Sequence, residues 1–528
     1  MASGPGRTSP LTGTYDPRDS QISIFDALIA ARTQFGAKKP ILEDQERNPL
    51  TYTGLIQASF ALGRKIAGFT AKGERVGVML PSSAGGVVTF FALHAIGRTP
   101  TMLNFTAGIR NLKAACELAG VKTVLTSHRF IEQGKLHDLV DALEPIAQVV
   151  YLEEVREKVG LADKLFAAAG GVMTRQFRAN SKPSDPGVIL FTSGSFGAPR
   201  GVVLSQANLV ANVQQIAAHI ALDPDWVMFN PLPIFHCFGL TGGVLLPILT
   251  GMKAFQYPSP LHTKQIPPLI KDSQASILLA TDTFVNQYAR AAEPGELSGL
   301  KFVVCGAEKV REETHNLVAE RFGPIPLLEG YGATEAAPVI AVNKPLDNRR
   351  GTVGGLLPGI ETRLEPVEGI PGGGQLFVRG PNVMSGYLAA DGSVEAPVDG
   401  WHDTGDVVSM SNDHWIKIQG RVKRFAKVAG EMVSLTAAED IAVAVWPDCR
   451  HAVIAVADPR KGERLILLTD RRAAQVDALL AHAKSVGTPE LTVPRKIIVV
   501  PEIPVLGTGK TDYVAIQRMA EAELRRVG

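Results

Sequence analysis

The sequence is short of several things, and each shortage excludes a class of protein. Its four cysteines, Cys116, Cys237, Cys305 and Cys449, lie far apart with no CxxC pair. That spacing excludes a disulfide framework and a cysteine zinc site, and it suits a reducing compartment. Charge of either sign is not in excess: 54 lysines and arginines face 52 aspartates and glutamates. No net field draws such a chain to nucleic acid or anionic lipid. Long apolar runs are missing too. The stretches 84–96 and 238–252 fall short of the about 20 residues that a membrane-spanning helix needs. The opening MASGPGRTSPLTGTYDPRDS lacks the apolar core of a signal peptide, so residues 1–20 read as a loose arm. The expectation is a cytoplasmic chain with no nucleic-acid partner, whose contact with the inner membrane is transient.

What is present is alternation. Residues 50–69 have helical spacing, ERVGVML (74–80) reads as a strand, and GGVVTFFALHAIG (85–97) as a buried helix. VKTVLTS, AQVVYL, GVILFTS, ASILLAT and LKFVVCG look like further buried strands between helices. This pattern predicts α/β layers with largely parallel sheets. From about residue 350, glycine and proline turns between short strands suggest a small antiparallel β unit. Beyond IQGRVKR (418–424) the texture becomes mixed α and β. The expected organisation is the arm, a large domain over 21–420 and a small α+β domain over 421–528.

Two glycine-rich loops compete for a phosphate. IPVLGTGKTDY (503–513) ends like a P-loop, but Pro504 stands where the first glycine belongs, and proline has no N–H to offer. The better candidate is TSGSFGAPRG (192–201). Gly194, Gly197 and Gly201 permit backbone N–H groups to converge on phosphate oxygens. Thr192, Ser193 and Ser195 add hydroxyls, and Arg200 adds charge. A strand-like GVVL then leads to Ser205, a good N-cap for a helix.

TSGSFGAPRG resembles the phosphate loop of the adenylate-forming superfamily, which comprises acyl-CoA synthetases, peptide-synthetase adenylation domains and luciferases. Further family stations follow in order: LPIFHCFG (232–239), CGAEKV (305–310), LLEGYGATEAAP (327–338), GWHDTGDVV (400–408), IQGRVKRFAKVAGEMVSL (418–435) and VLGTGKTD (505–512). Within the superfamily, EGYGATEAAPV, YPSPLH and RVKRFAKVAGEMVSL are similar to the acyl-[acyl-carrier-protein] synthetase half of bacterial 2-acylglycerophosphoethanolamine acyltransferase/acyl-carrier-protein synthetases. The acyltransferase half of those enzymes carries HX4D. None of the eleven histidines here has an aspartate five residues on, so a free-standing synthetase is expected.

The resemblance implies an ATP- and Mg2+-dependent ligase. A fatty acid is activated to an acyl-adenylate, and the acyl group then passes to the thiol of acyl carrier protein; CoA is the alternative acceptor, and a non-catalytic fatty-acid or nucleotide sensor is a more distant reading. It implies that Glu335 is the magnesium-associated carboxylate and Thr334 the hydroxyl facing the α-phosphate. Tyr331 and Gly332 would form the adenine platform, Gly306, Ala307 and Glu308 the adenine edge, and Asp406 the ribose acceptor with Arg421 beside it. Lys510 would enter the site only during adenylation, on a mobile C-terminal domain hinged at Lys423, with Gly430 facing the site in the other half-reaction. His236, Phe238, Gly332 and Ala337 would line the acyl wall. Two departures from the family pattern are Arg200 in place of lysine and Phe196 at a usually polar position. The basic run RVKRFAK (421–427) suggests that Lys423, Arg424 and Lys427 attract an acidic carrier protein.

Overall fold

The structure is a computed structural model, and it describes residues 15–193, 198–367, 373–428, 431–458, 462–505 and 511–527. The side chains of 193, 423, 432 and 525–527 lie outside that description, as do Gly194, Ser195, Phe196, Gly197, Gly430 and Lys510. The chain divides into two compact units. One holds the residues up to Arg350 with Leu356–Glu361 and Arg379–His402; the other holds Gly351–Gly355, Thr362–Val378 and the residues from Asp403 onward.

The first unit is layered α/β. One sheet runs Val394–Glu395, Gly386–Leu388, Pro199–Ser205, Pro186–Ser193, Thr99–Met102, Arg75–Val78, Thr123–Thr126 and Gln148–Tyr151. From Pro186–Ser193 onward neighbouring strands are parallel; before it they pair antiparallel. Successive side chains of a strand leave opposite faces. Val188, Leu190, Val202 and Leu204 therefore enter one apolar core, while Ile189, Val203 and Leu388 enter another. Burial on both faces explains why GVILF is apolar without alternation.

A second sheet includes, in order, Gly355–Leu356, Val339–Val342, Leu327–Gly332, Phe302–Cys305, Ile277–Ala280, Val227–Asn230, Lys253–Gln256, Pro40–Asp44 and Leu50–Thr51. The pairings from Leu327–Gly332 through to Pro40–Asp44 are parallel, while Val339–Val342 pairs antiparallel with Leu327–Gly332 and Leu50–Thr51 antiparallel with Pro40–Asp44. Helices with the expected periodicity cover the sheets. Tyr52–Ile66 begins at Thr51, whose Oγ1 accepts from the Gly54 N–H at 3.0 Å.

The second unit contains a four-stranded sheet in the order Glu361–Pro366, Gly373–Arg379, His402–Met410, Ile416–Arg421, whose last two strands pair antiparallel. It also contains a five-stranded sheet built from Phe425–Val428, Glu431–Ser434, His451–Asp458, Gly462–Thr469 and Lys496–Val499. Alternation again sorts the side chains. Val453, Leu465 and Leu467 face Ala438, Ile441 and Leu479 of two helices, Leu435–Val445 and Val476–Ser485. Ile454, Ile466 and Leu468 face Ile516 and Ala520 of Tyr513–Val527.

The stretch after 350 is not one β unit. Gly386–Leu388 pairs with Val202 and Val203 as an added strand of the first unit's sheet. Its own texture, short and glycine-flanked, gives no hint of which sheet it will extend.

Candidate active site

The segment of glycines and hydroxyls is flanked by two paired strands. Pro186–Ser193 and Pro199–Ser205 pair antiparallel, with Thr192 opposite Arg200 and Ser193 opposite Pro199. The far end of the pair is anchored at Ser205, whose Oγ accepts from the Asn208 N–H (3.1 Å) while Asn208 Oδ1 accepts from the Ser205 N–H (2.8 Å). This reciprocal cap starts helix Gln206–His219. Thr192 and Arg200 thus stand side by side at the mouth of the loop. The exposed Arg200 guanidinium lies over the ring of Tyr387, 3.6 Å from its centre.

The second element is the strand Leu327–Gly332, which runs into a 3-10 turn, Thr334–Ala336. Gly332 must be glycine, because a Cβ there would lie 2.0 Å from the Pro338 carbonyl oxygen. The turn is gripped from several sides. Ala333 N–H donates to the Pro338 carbonyl at 3.0 Å and Met384 N–H to the Glu335 carbonyl at 2.8 Å. The Asn382 side-chain amide donates to the Ala336 carbonyl at 2.7 Å. Tyr387 O–H donates to Glu335 Oε1 at 2.8 Å. Ala337 holds φ at 65°, a left-handed conformation that costs a residue with a Cβ and persists only where its surroundings impose it.

The third element follows strand Phe302–Cys305. Ala307 is likewise left-handed, with φ at 70°. Glu308 Oε2 accepts from the Thr283 N–H at 3.1 Å, at the start of helix Asp282–Ala291. Gly306 lies against Phe238: a Cβ at 306 would be 3.1 Å from Phe238 Cε1. Phe238 opens a π-helical turn, Phe238–Leu245, and the half-buried His236 packs on Phe235 at 4.7 Å between ring centres. Between His236 and Phe238, burial pushes the Cys237 thiol up to about 12; the Glu335 carboxylate adds to this and the Thr241 hydrogen bond opposes it. Cys237 is thus a neutral filler, not a nucleophile. Thr192, Arg200, Gly306, Ala307, His236, Phe238, Tyr331, Gly332, Thr334, Glu335 and Ala337 all belong to the first unit.

Asp406 and Arg421 are cross-strand partners in the second unit. Arg421 Nε donates to Asp406 Oδ1 at 3.0 Å; the carboxylate is 7% exposed and the arginine 69%. Arg424 departs from expectation. Its Nη1 donates to the Val453 carbonyl at 2.7 Å, its Nη2 to Glu439 Oε1 at 2.6 Å, and its guanidinium covers the Tyr513 ring. A guanidinium committed inward in this way offers no charge to a carrier protein, so the basic run is not a uniform patch. Lys427 is exposed. Among the described residues no group of three or more His, Cys, Asp and Glu could hold a metal ion, and no helix is long and apolar enough to cross a membrane.

Asn382, Met384 and Tyr387 carry little signal in the sequence. They belong to PNVMSGYL (381–388), which carries no charged side chain. The glycine–tyrosine pair beside an apolar strand was the one available signal.

Known proteins resemble this chain in sequence and in fold. The family model described as AMP-binding enzyme matches residues 30–388. The medium-chain fatty-acid–CoA ligase of Escherichia coli (strain K12) is 26% identical over 495 residues, covering 89% of this chain and 85% of the relative. The long-chain fatty-acid–CoA ligase of Salmonella typhimurium is 27% identical, covering 83% and 84%. Among solved structures, the anthranilate CoA ligase AuaEII in complex with anthranoyl-AMP shares the fold with a TM-score of 0.80 at 20% identity, over 96% of this chain and 99% of that one. O-succinylbenzoate coenzyme A synthetase from Bacillus subtilis, in complex with ATP and magnesium ion, has a TM-score of 0.77 at 19% identity, over 92% and 98%.

Proposed function

Because the chain belongs to the AMP-binding enzyme family, we propose that it is an AMP-forming acid–thiol ligase, which joins a fatty acid to a phosphopantetheine thiol at the expense of ATP. The observation that supports this most is the Glu335 turn, a single carboxylate fixed by backbone and side-chain contacts beside the Thr192–Arg200 hairpin. Magnesium travelling with a nucleotide takes its ligands from phosphate oxygens, water and one or two carboxylates rather than from a protein cage. A lone positioned carboxylate, with no larger acidic cluster among the described residues, fits that requirement. When bound, ATP supplies an electrophilic α-phosphorus and magnesium the countercharge.

The chain's own part is positioning and electrostatic stabilisation. Thr192 and Arg200 hold phosphate oxygens, Thr334 faces the α-phosphate, and Glu335 holds the ion. Tyr331–Gly332 and the Gly306–Glu308 segment bracket the adenine, while Asp406, with Arg421, receives the ribose hydroxyls. Lys510 contributes its charge to adenylation, and Lys423 is the hinge. The acyl chain lies along His236, Phe238, Gly332 and Ala337. An apolar wall without a carboxylate to anchor an ammonium group favours a fatty acid over an amino acid.

The acceptor in this proposal is acyl carrier protein, read from the 418–435 motif; the relatives named for CoA make CoA the alternative. The test incubates purified protein with Mg-ATP and a ladder of fatty acids, with holo-carrier protein and CoA in parallel. Acylated carrier by intact mass, with AMP release, is the expected product. Efficient acyl-CoA with an idle carrier would assign the chain to the CoA ligases, and no ATP-dependent product would overturn the ligase reading.

A further inference from the structure

The short added strand carries a residue that touches both halves of the phosphate machinery. Tyr387 pairs with Val202, two residues beyond Arg200. Residues two apart on a strand share a face, and the diagonal neighbour across an antiparallel pair is within reach of an aromatic ring. Register alone therefore lays the Tyr387 ring under the Arg200 guanidinium, 3.6 Å from the ring centre. The hydroxyl at the other end of the ring donates to Glu335 Oε1 at 2.8 Å. Three residues earlier, Met384 N–H holds the Glu335 main-chain carbonyl at 2.8 Å.

We propose that Tyr387 is a positioning residue that couples Arg200 on the phosphate-binding hairpin to Glu335 on the metal-binding turn, so that nucleotide and divalent cation bind cooperatively. The proposal rests on the reading of Arg200 and Glu335 given above. A guanidinium plane stacks on an aromatic face, which an ammonium cannot do, and this gives a physical reason for arginine at 200. A cation over the ring draws electron density from the phenol and strengthens its O–H as a donor to a carboxylate. Holding Glu335 in one orientation before the cation arrives lowers the ordering cost of binding it. When phosphate oxygens fix Arg200, the ring and the carboxylate beyond it are fixed with it. Each ligand thereby prepares the site of the other, and such coupling is reciprocal.

The test separates the ring from the hydroxyl. Tyr387→Phe keeps the stacking surface and removes the donor; Arg200→Gln removes the cation and keeps the donor. ATP binding is measured by calorimetry without fatty acid, in EDTA and then with Mg2+ or Mn2+, for wild type, each single variant and the double variant. Tyr387→Phe is expected to reduce the metal-dependent gain in ATP affinity about ten-fold, the scale of one hydrogen bond to a charged group, and to leave metal-free binding within about two-fold. The two substitutions should be non-additive in that gain, since either one breaks the same link. Additive losses, an unchanged gain in Tyr387→Phe, or a wild type without any metal-dependent gain would each overturn the proposal. A thermal melt of Tyr387→Phe close to wild type shows that the loss is local. A protein that shows the coupling but activates no fatty acid would overturn the substrate reading and leave this one standing.

Discussion

Arg424 and Glu439 form a nearly buried ion pair, with Nη2 to Oε1 at 2.6 Å and side-chain exposures of 15% and 13%. Tyr513 O–H donates to the same carboxylate at 3.0 Å, and the Val453 N–H does so at 2.7 Å. Burial raises the Glu439 carboxyl above its ordinary range, and Arg424 opposes that rise. The pair ties the turn Val422–Arg424, helix Leu435–Val445 and the start of helix Tyr513–Val527 into one body. Removing one partner strands the other in a poorly solvated place. Arg424→Ala should cost about 3–5 kcal/mol of stability, read as a lower urea midpoint, while Lys427→Ala, at an exposed site, stays within about 0.5 kcal/mol. Equal midpoints in the two variants would refute the structural role.

The proposal for Lys510 separates the two half-reactions. Lys510→Ala should slow fatty-acid-dependent pyrophosphate exchange by about 10²–10³, the scale of one preorganised electrostatic contact. Thioester formation from supplied acyl-adenylate should be largely spared. Equal loss in both assays would remove Lys510 from the adenylation step.

Asp406 offers a different signature. Its carboxylate accepts from Arg421 at 3.0 Å. If it also receives ribose hydroxyls, Asp406→Asn should weaken ATP binding about ten-fold through loss of charged acceptors. Fatty-acid KM should not move. A change confined to fatty-acid KM would contradict the ribose assignment.

Acid should destabilise the protein before its carboxylates titrate. Burial lowers His94 from its ordinary 6.5 to about 3 and His219 to about 4. Below pH 6.5 the unfolded chain binds protons that the folded one refuses, so stability falls as pH falls. The slope is about 1.4 kcal/mol per pH unit for each histidine once the unfolded form is protonated. Urea midpoints between pH 6.5 and 5.5 should decline in wild type and decline less in His94→Gln. Parallel declines would show that His94 carries none of the effect.

The amino-acid sequence by itself determined the layered α/β class, the buried strands and the order of the candidate site segments. Those features are local: a strand such as GVILF or a cap such as Ser205 is set by neighbours a few residues away. Spacing sufficed as well to discard the P-loop reading at Lys510, because Pro504 lacks the needed N–H. Tertiary structure alone decided which sheet Gly386–Leu388 extends, and hence that Tyr387 spans Arg200 and Glu335. It also decided that Arg424 faces Glu439. Both outcomes depend on strand register and on helix packing between residues far apart in the chain. A basic run or a short uncharged strand reads the same whether its side chains meet solvent, a buried carboxylate or a neighbouring loop.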